Sequence, residues 1–107
     1  MTTFDDRERA FETKYARDED MAFRITARRN KLVGQWAAAQ MKLTPEETDA
    51  YAKSVVQADF EEAGDQDVVR KVVGDLTAAG IDTDEAAVRA ALEAQTVEAR
   101  RQLMQQG

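Results

Sequence analysis

Four stretches of this chain place apolar residues at helical intervals, and no stretch shows the two-residue alternation of a strand. Met21, Ile25, Leu32, Trp36, Ala39 and Leu43 recur at steps of three, four and seven. Tyr51, Ala52, Val55, Val56, Phe60 and Ala63 form a second stripe, and Val68, Val69, Val72, Val73, Leu76 and Ala79 a third. Val88, Ala91, Leu92, Gln95, Ala99 and Leu103 form the fourth. Each pattern buries one face of a helix, and short connections between such helices favour a compact bundle. The predicted class is all-α, a four-helix bundle.

Local signals set the boundaries. Thr44-Pro45-Glu46-Glu47 reads as a helix start, with Thr44 as N-cap, Pro45 in the first turn and Glu47 placed to close a capping box. Gly64 is expected to end that helix in the left-handed conformation and Asp65 to cap the next. Gly80 ends the third helix, with Ile81 reaching back to Leu76, and Asp82 or Thr83 caps the fourth. These signals predict helices over about 21–42, 45–63, 66–79 and 83–105. The valines of the third are mediocre helix formers, so that helix depends on packing. Trp36, on the first stripe, is expected in the core. Two readings of Gly34 beside it are open: room for a neighbouring backbone, or a neutral accident.

Residues 1–20 differ from the rest. They are rich in Glu, Arg, Lys and Ala, yet their large apolar side chains are only Phe4, Phe11 and Tyr15. At 100° per residue these three fall within about 40° of one another. A first helix running unbroken from about Asp5 to Lys42 would span roughly 57 Å, too long to pack inside the bundle. The sequence therefore divides into a segment 1–20, mobile or protruding as helix when free, and a four-helix domain 21–107. Three aromatics on one face of a charged segment are costly to leave in water, so either they fold back on the bundle or they enter a partner's groove, the second being the favoured reading.

Charge is distributed unevenly. Residues 1–20 carry net −3, residues 21–43 net +5 with no acid, and residues 44–107 net −8. Two readings of the cationic band are open: it pairs with acids of its own chain, or it is an interaction surface. Arg24, Arg28 and Lys31 share a helix face at i, i+4, i+7 and are candidates for a weakly bound nucleotide or a secondary partner contact. No phosphate-binding glycine loop accompanies them, and an acidic chain without a recognition fold is not expected to bind nucleic acid.

The chain contains neither cysteine nor histidine. Disulfides, thiolate metal sites and histidine-based acid–base chemistry are excluded, so no enzyme activity, cofactor or metal is expected. Asp59, Glu61, Glu62, Asp65 and Asp67 cluster around Gly64 without calcium-loop spacing and read as caps and a solvated turn. No apolar run is long enough to span a membrane, and Met1 to Asp6 lacks the pattern of a signal peptide. A cytoplasmic protein, monomeric when free, is expected.

Four runs carry a resemblance. Phe4-Asp5-Asp6-Arg7-Glu8, Ala27-Arg28-Arg29-Asn30-Lys31-Leu32-Val33-Gly34-Gln35-Trp36-Ala37-Ala38, Ala58-Asp59-Phe60-Glu61 and Gly64-Asp65-Gln66-Asp67-Val68 resemble the zeta subunit family of alphaproteobacterial F-type ATP synthases. Gln35 and Ala63 depart from the family pattern, at a usually aliphatic place and a frequent proline. The resemblance implies an inhibitor of ATP hydrolysis by the catalytic head of the synthase. It implies that the N-terminal segment enters the cleft between a catalytic beta subunit and its alpha neighbour, close to the gamma rotor. Carried over, Phe4, Asp5, Asp6, Arg7, Glu8, Phe11 and Tyr15 are the expected partner contacts. The protein would then be peripheral at the inner membrane through the synthase. A stand-alone helical adaptor, using the same helix on an unrelated partner, is the alternative.

Overall fold

The computed structural model describes the backbone of residues 3–61 and 65–106, and side chains over 20–59 and 65–105. It comprises four helices, α1 (Thr3–Gln40), α2 (Pro45–Glu61), α3 (Gln66–Ala78) and α4 (Glu85–Gln106). The described residues contain no strand. The all-α four-helix reading holds, with boundaries within about two residues of those expected over the bundle.

The junctions follow the local sequence. Thr44 and Glu47 close the capping box: the Glu47 amide donates to Thr44 Oγ1 at 3.1 Å and the Thr44 amide to Glu47 Oε1 at 2.9 Å. That amide holds the Glu47 carboxyl below its ordinary range. Gly80 sits at φ 80°, its amide donating to the Thr77 carbonyl while Ile81 donates to that of Leu76, the paired bonds of a Schellman end. The end of α1 has the same pair, Leu43 to Ala38 and Lys42 to Ala39, but the left-handed residue is Lys42 at φ 59°. Two expected caps are corrected. Asp84, rather than Asp82 or Thr83, caps α4 by accepting from the Ala87 amide at 2.8 Å. Asp65 makes no side-chain cap bond: its backbone is already right-handed helical at φ −78° and ψ −14°, and its Oδ1 accepts from Arg29. The turn expected at Gly64 lies outside the described residues.

The core contains Val33 and Ala37 of α1, Val55 of α2, Val68, Val69, Val72 and Leu76 of α3, and Val88 and Leu92 of α4. Burying a valine or leucine contributes about 1.5–3 kcal/mol, which outweighs the few tenths that each valine of α3 costs in propensity. Helix α1 packs chiefly against α2 and α4.

On α1 the buried face is not the expected stripe. Arg29, Asn30, Val33, Gly34, Ala37 and Ala38 are buried, whereas Met21 and Ala39 are exposed and Trp36 is only partly buried at the edge of the core. Trp36 lies about 60° around the helix from Val33 and 100° from Ala37. The reason is close approach. A Cβ added at Gly34 would lie 2.7 Å from Ala52 Cα, so α1 and α2 touch backbone to backbone where both carry small residues. Bulky side chains are displaced to the margins of such a contact.

Candidate partner-binding surface

Positions 4 to 15 lie on the N-terminal half of α1, whose backbone is helical from Thr3 onward. The side chains of Phe4, Asp5, Asp6, Arg7, Glu8, Phe11 and Tyr15 lie outside the described residues, as does the expected mobility of the segment. From Asp20 to Arg24 every residue is exposed, and burial begins at Ile25. Asp20 pairs within its own helix, 3.1 Å from Arg24. An exposed pair of this kind contributes little stability.

The cationic band divides three ways. Arg29 is its buried member, 9% exposed. Its Nη2 donates to Asp65 Oδ1 at 2.9 Å, and Nε and Nη2 both donate to Asn30 Oδ1. This network ties α1 to the start of α3. Asn30 Oδ1 is held by Arg29, and its buried Nδ2 has no partner among the described residues. Such an orphan donor costs about 1–3 kcal/mol in desolvation. Arg28 takes a different route, its Nη1 donating to Gln102 Oε1 on α4 at 2.8 Å. Gln102 in turn donates to Glu98, which Arg101 also binds, and these bonds hold the Glu98 carboxyl down at about 2. Arg28 is therefore anchored by a neutral amide. Lys31 is exposed and makes no ion pair among the described residues. Within residues 21–43, Arg24 and Arg29 are the cations that pair with an acid among the described residues, Arg24 within α1 and Arg29 across to Asp65.

Arg24, Arg28 and Lys31 are brought together, and residues not expected from the sequence join them. Arg24, Arg28 and Lys31 line a cavity of about 450 Å³ with Phe23, Val56 and Leu103. A neighbouring cavity of about 560 Å³ lies between α1 and α2, and shares Lys31 and Val56. Ala52 lies in its wall, and Lys53 and Asp49 stand beside it. The two adjoin through Lys31 and Val56 as a trough lined in part by small and aliphatic side chains and bordered by cations. Lys53, Val56 and Leu103 carried no signal for this role, since each belongs to another helix. Phe23, 54% exposed, was readable as an apolar residue off the predicted stripe.

Elsewhere, Tyr51 and Lys71 share Asp75. The Tyr51 hydroxyl donates to Asp75 Oδ2 at 2.8 Å, Lys71 Nζ at 3.0 Å, and burial pushes the Tyr51 phenol well above its ordinary range. This joins α2 to α3 and serves packing. Asp59, Asp65 and Asp67 belong to no metal-holding group among the described residues; Glu61 and Glu62 lie outside the described side chains. No described helix is long and apolar enough to cross a membrane.

The sequence model of a family described as ATPase inhibitor subunit zeta matches residues 1–102. A protein solved by solution NMR is similar in fold with a TM-score of 0.71 and 48% identity, over 81% of this chain and 99% of its own. No curated relative matches. A match over nearly the whole length, together with a solved relative of this identity, shows that the chain belongs to the ATPase inhibitor subunit zeta family.

Proposed function

We propose that this chain is a regulatory inhibitor subunit that blocks ATP hydrolysis by the F-type ATP synthase, with the N-terminal half of α1 as the inhibitory element. An inhibitory role comes with the family. The observation that carries the finer reading is the continuity of α1. The helix runs unbroken from Thr3 to Gln40, and among the described side chains of α1, which start at Asp20, burial begins at Ile25. Roughly 30 Å of helix thus precedes the bundle. A helix of that length reaches into a cleft while the bundle stays outside as a stop.

In this reading the segment enters between a catalytic beta subunit and its alpha neighbour and approaches gamma. Phe4, Phe11 and Tyr15 anchor it, and Asp5, Asp6, Arg7 and Glu8 pair with charges lining the cleft. A wedge held there prevents the cleft from completing its cycle, so hydrolysis stops without any chemistry by the inhibitor. The protein then works on the cytoplasmic side, held at the membrane by the synthase alone.

The test is steady-state ATP hydrolysis by the matching synthase head. Deleting residues 2–19 should abolish inhibition and leave the melting temperature of the bundle nearly unchanged. Phe11→Ala and Tyr15→Ala should each weaken binding by about tenfold to several-hundredfold, mostly through faster release. A truncated chain that inhibits at the wild-type concentration would refute the mechanism.

A further inference from the structure

We propose that the concavity between α1 and α2 is a second docking site, which receives an acidic, partly apolar segment of the synthase head at the mouth of the cleft. The proposal rests on the reading that the N-terminal half of α1 enters that cleft. Its own evidence is a shape and a charge imbalance.

The shape is an elongated trough, two adjoining cavities of about 560 and 450 Å³ that share Lys31 and Val56. Ala27, Ala52, Val56 and Leu103 give it an apolar lining of modest size, into which aliphatic side chains fit. The charge imbalance is at the rim. Lys31, Lys53 and Arg28 form no ion pair with any described residue, and Arg24 is paired with Asp20. Asp49 is the one acid lining the trough among the described residues. Three cations with no ion pair among the described residues, against one lining acid, select an anionic partner with apolar side chains and disfavour a basic one.

Continuity fixes where that partner stands. Ala27 lies twelve residues along α1 from Tyr15, about 18 Å on a straight helix. Whatever cleft holds positions 4 to 15 therefore has its mouth within reach of the trough. Helical geometry also puts Ala27 about 140° around α1 from the direction shared by positions 4, 11 and 15. Positions 4, 11 and 15 and the trough thus lie on opposite sides of one rod. A cleft between two subunits has two walls, and the trough lies on the side of the helix away from positions 4, 11 and 15.

The experiment measures binding of the full-length chain to the purified head, separately from inhibition. The variant Lys31→Glu/Lys53→Glu should bind at least about tenfold more weakly, and its affinity should fall less steeply with salt. Both side chains are exposed, so its melting temperature should match wild type. Lys31→Arg/Lys53→Arg should restore affinity. Wild-type affinity and salt dependence in the charge-reversed variant would overturn the proposal. So would intact binding to the head combined with lost binding of ATP alone, which would make the trough a nucleotide site. The variant Phe11→Ala/Tyr15→Ala separates the two readings. If it inhibits normally while Lys31→Glu/Lys53→Glu loses affinity, the N-terminal mechanism fails and the trough remains a docking site.

Discussion

Replacing Gly34 with alanine should destabilise this protein, although the same change in an ordinary helix stabilises it. Gly34 lies inside α1, where alanine is favoured over glycine by about 1 kcal/mol through backbone entropy. Against that gain stands the Cβ, which would lie 2.7 Å from Ala52 Cα and 3.2 Å from Ala52 Cβ. Carbon atoms rest at roughly 3.5–4.0 Å, so α1 and α2 must separate by about 1 Å. The nearest atom is backbone and has no rotamer to escape into. Separation also loosens Ala37, Ala38 and Val55, which are fully buried beside the contact. Overpacking of this kind costs about 1–3 kcal/mol, and more where backbone must move. The expected net loss is about 1–2 kcal/mol, or a fall in melting temperature of roughly 5–15 °C for a domain of this size. Gly74 is the internal control. It lies within α3 with nothing inside 4 Å of its added Cβ, so Gly74→Ala should gain up to about 1 kcal/mol. Comparing the two removes the propensity term and leaves the helix–helix contact. The assay is helical circular dichroism in thermal and urea unfolding, with unchanged m-values as the check on two-state behaviour. A Gly34→Ala protein as stable as wild type would refute the close approach of α1 and α2.

Lys42→Gly should behave oppositely, raising stability by about 0.5–1 kcal/mol in the same assay, because Lys42 holds a left-handed conformation that glycine adopts without strain. A loss of stability would show that the Lys42 side chain contributes more than its strain costs. Melting temperature should be flat between about pH 6 and 9, since the chain has no histidine and the Tyr51 phenol is pushed up out of that range. Glu47 and Glu98 have lowered carboxyl values in the folded state, so their contribution is complete above the unfolded value near 4.5. It is lost as pH falls from there through about 2, where Glu98 titrates. A midpoint that drifts across neutral pH would contradict this account.

The sequence by itself determined the helices and several of their ends. Thr44, Glu47, Gly80 and Ile81 act through neighbours within a few residues, so the energy that places them is local and visible in the chain order. The valine stripe of α3 was legible for a related reason, since all its large apolar residues lie on one face and no other face competes. Helix α1 was not legible in this way. Its largest apolar residue, Trp36, is at the margin, and the contact is made by Gly34, Ala37 and Ala38. Hydrophobic periodicity weights bulk, whereas close helix packing is won by the absence of bulk, and that depends on Ala52 lying opposite. The cationic band shows the same limit. Arg24, Arg28, Arg29 and Lys31 are near neighbours in sequence and alike in charge. Only the tertiary structure decided that Arg29 is spent internally on Asn30 and Asp65, while Arg28 and Lys31 border an open trough with Lys53. A 100° step around one helix separates buried Arg29 from half-buried Arg28, and which side faces the bundle is fixed by residues of other helices, distant in sequence.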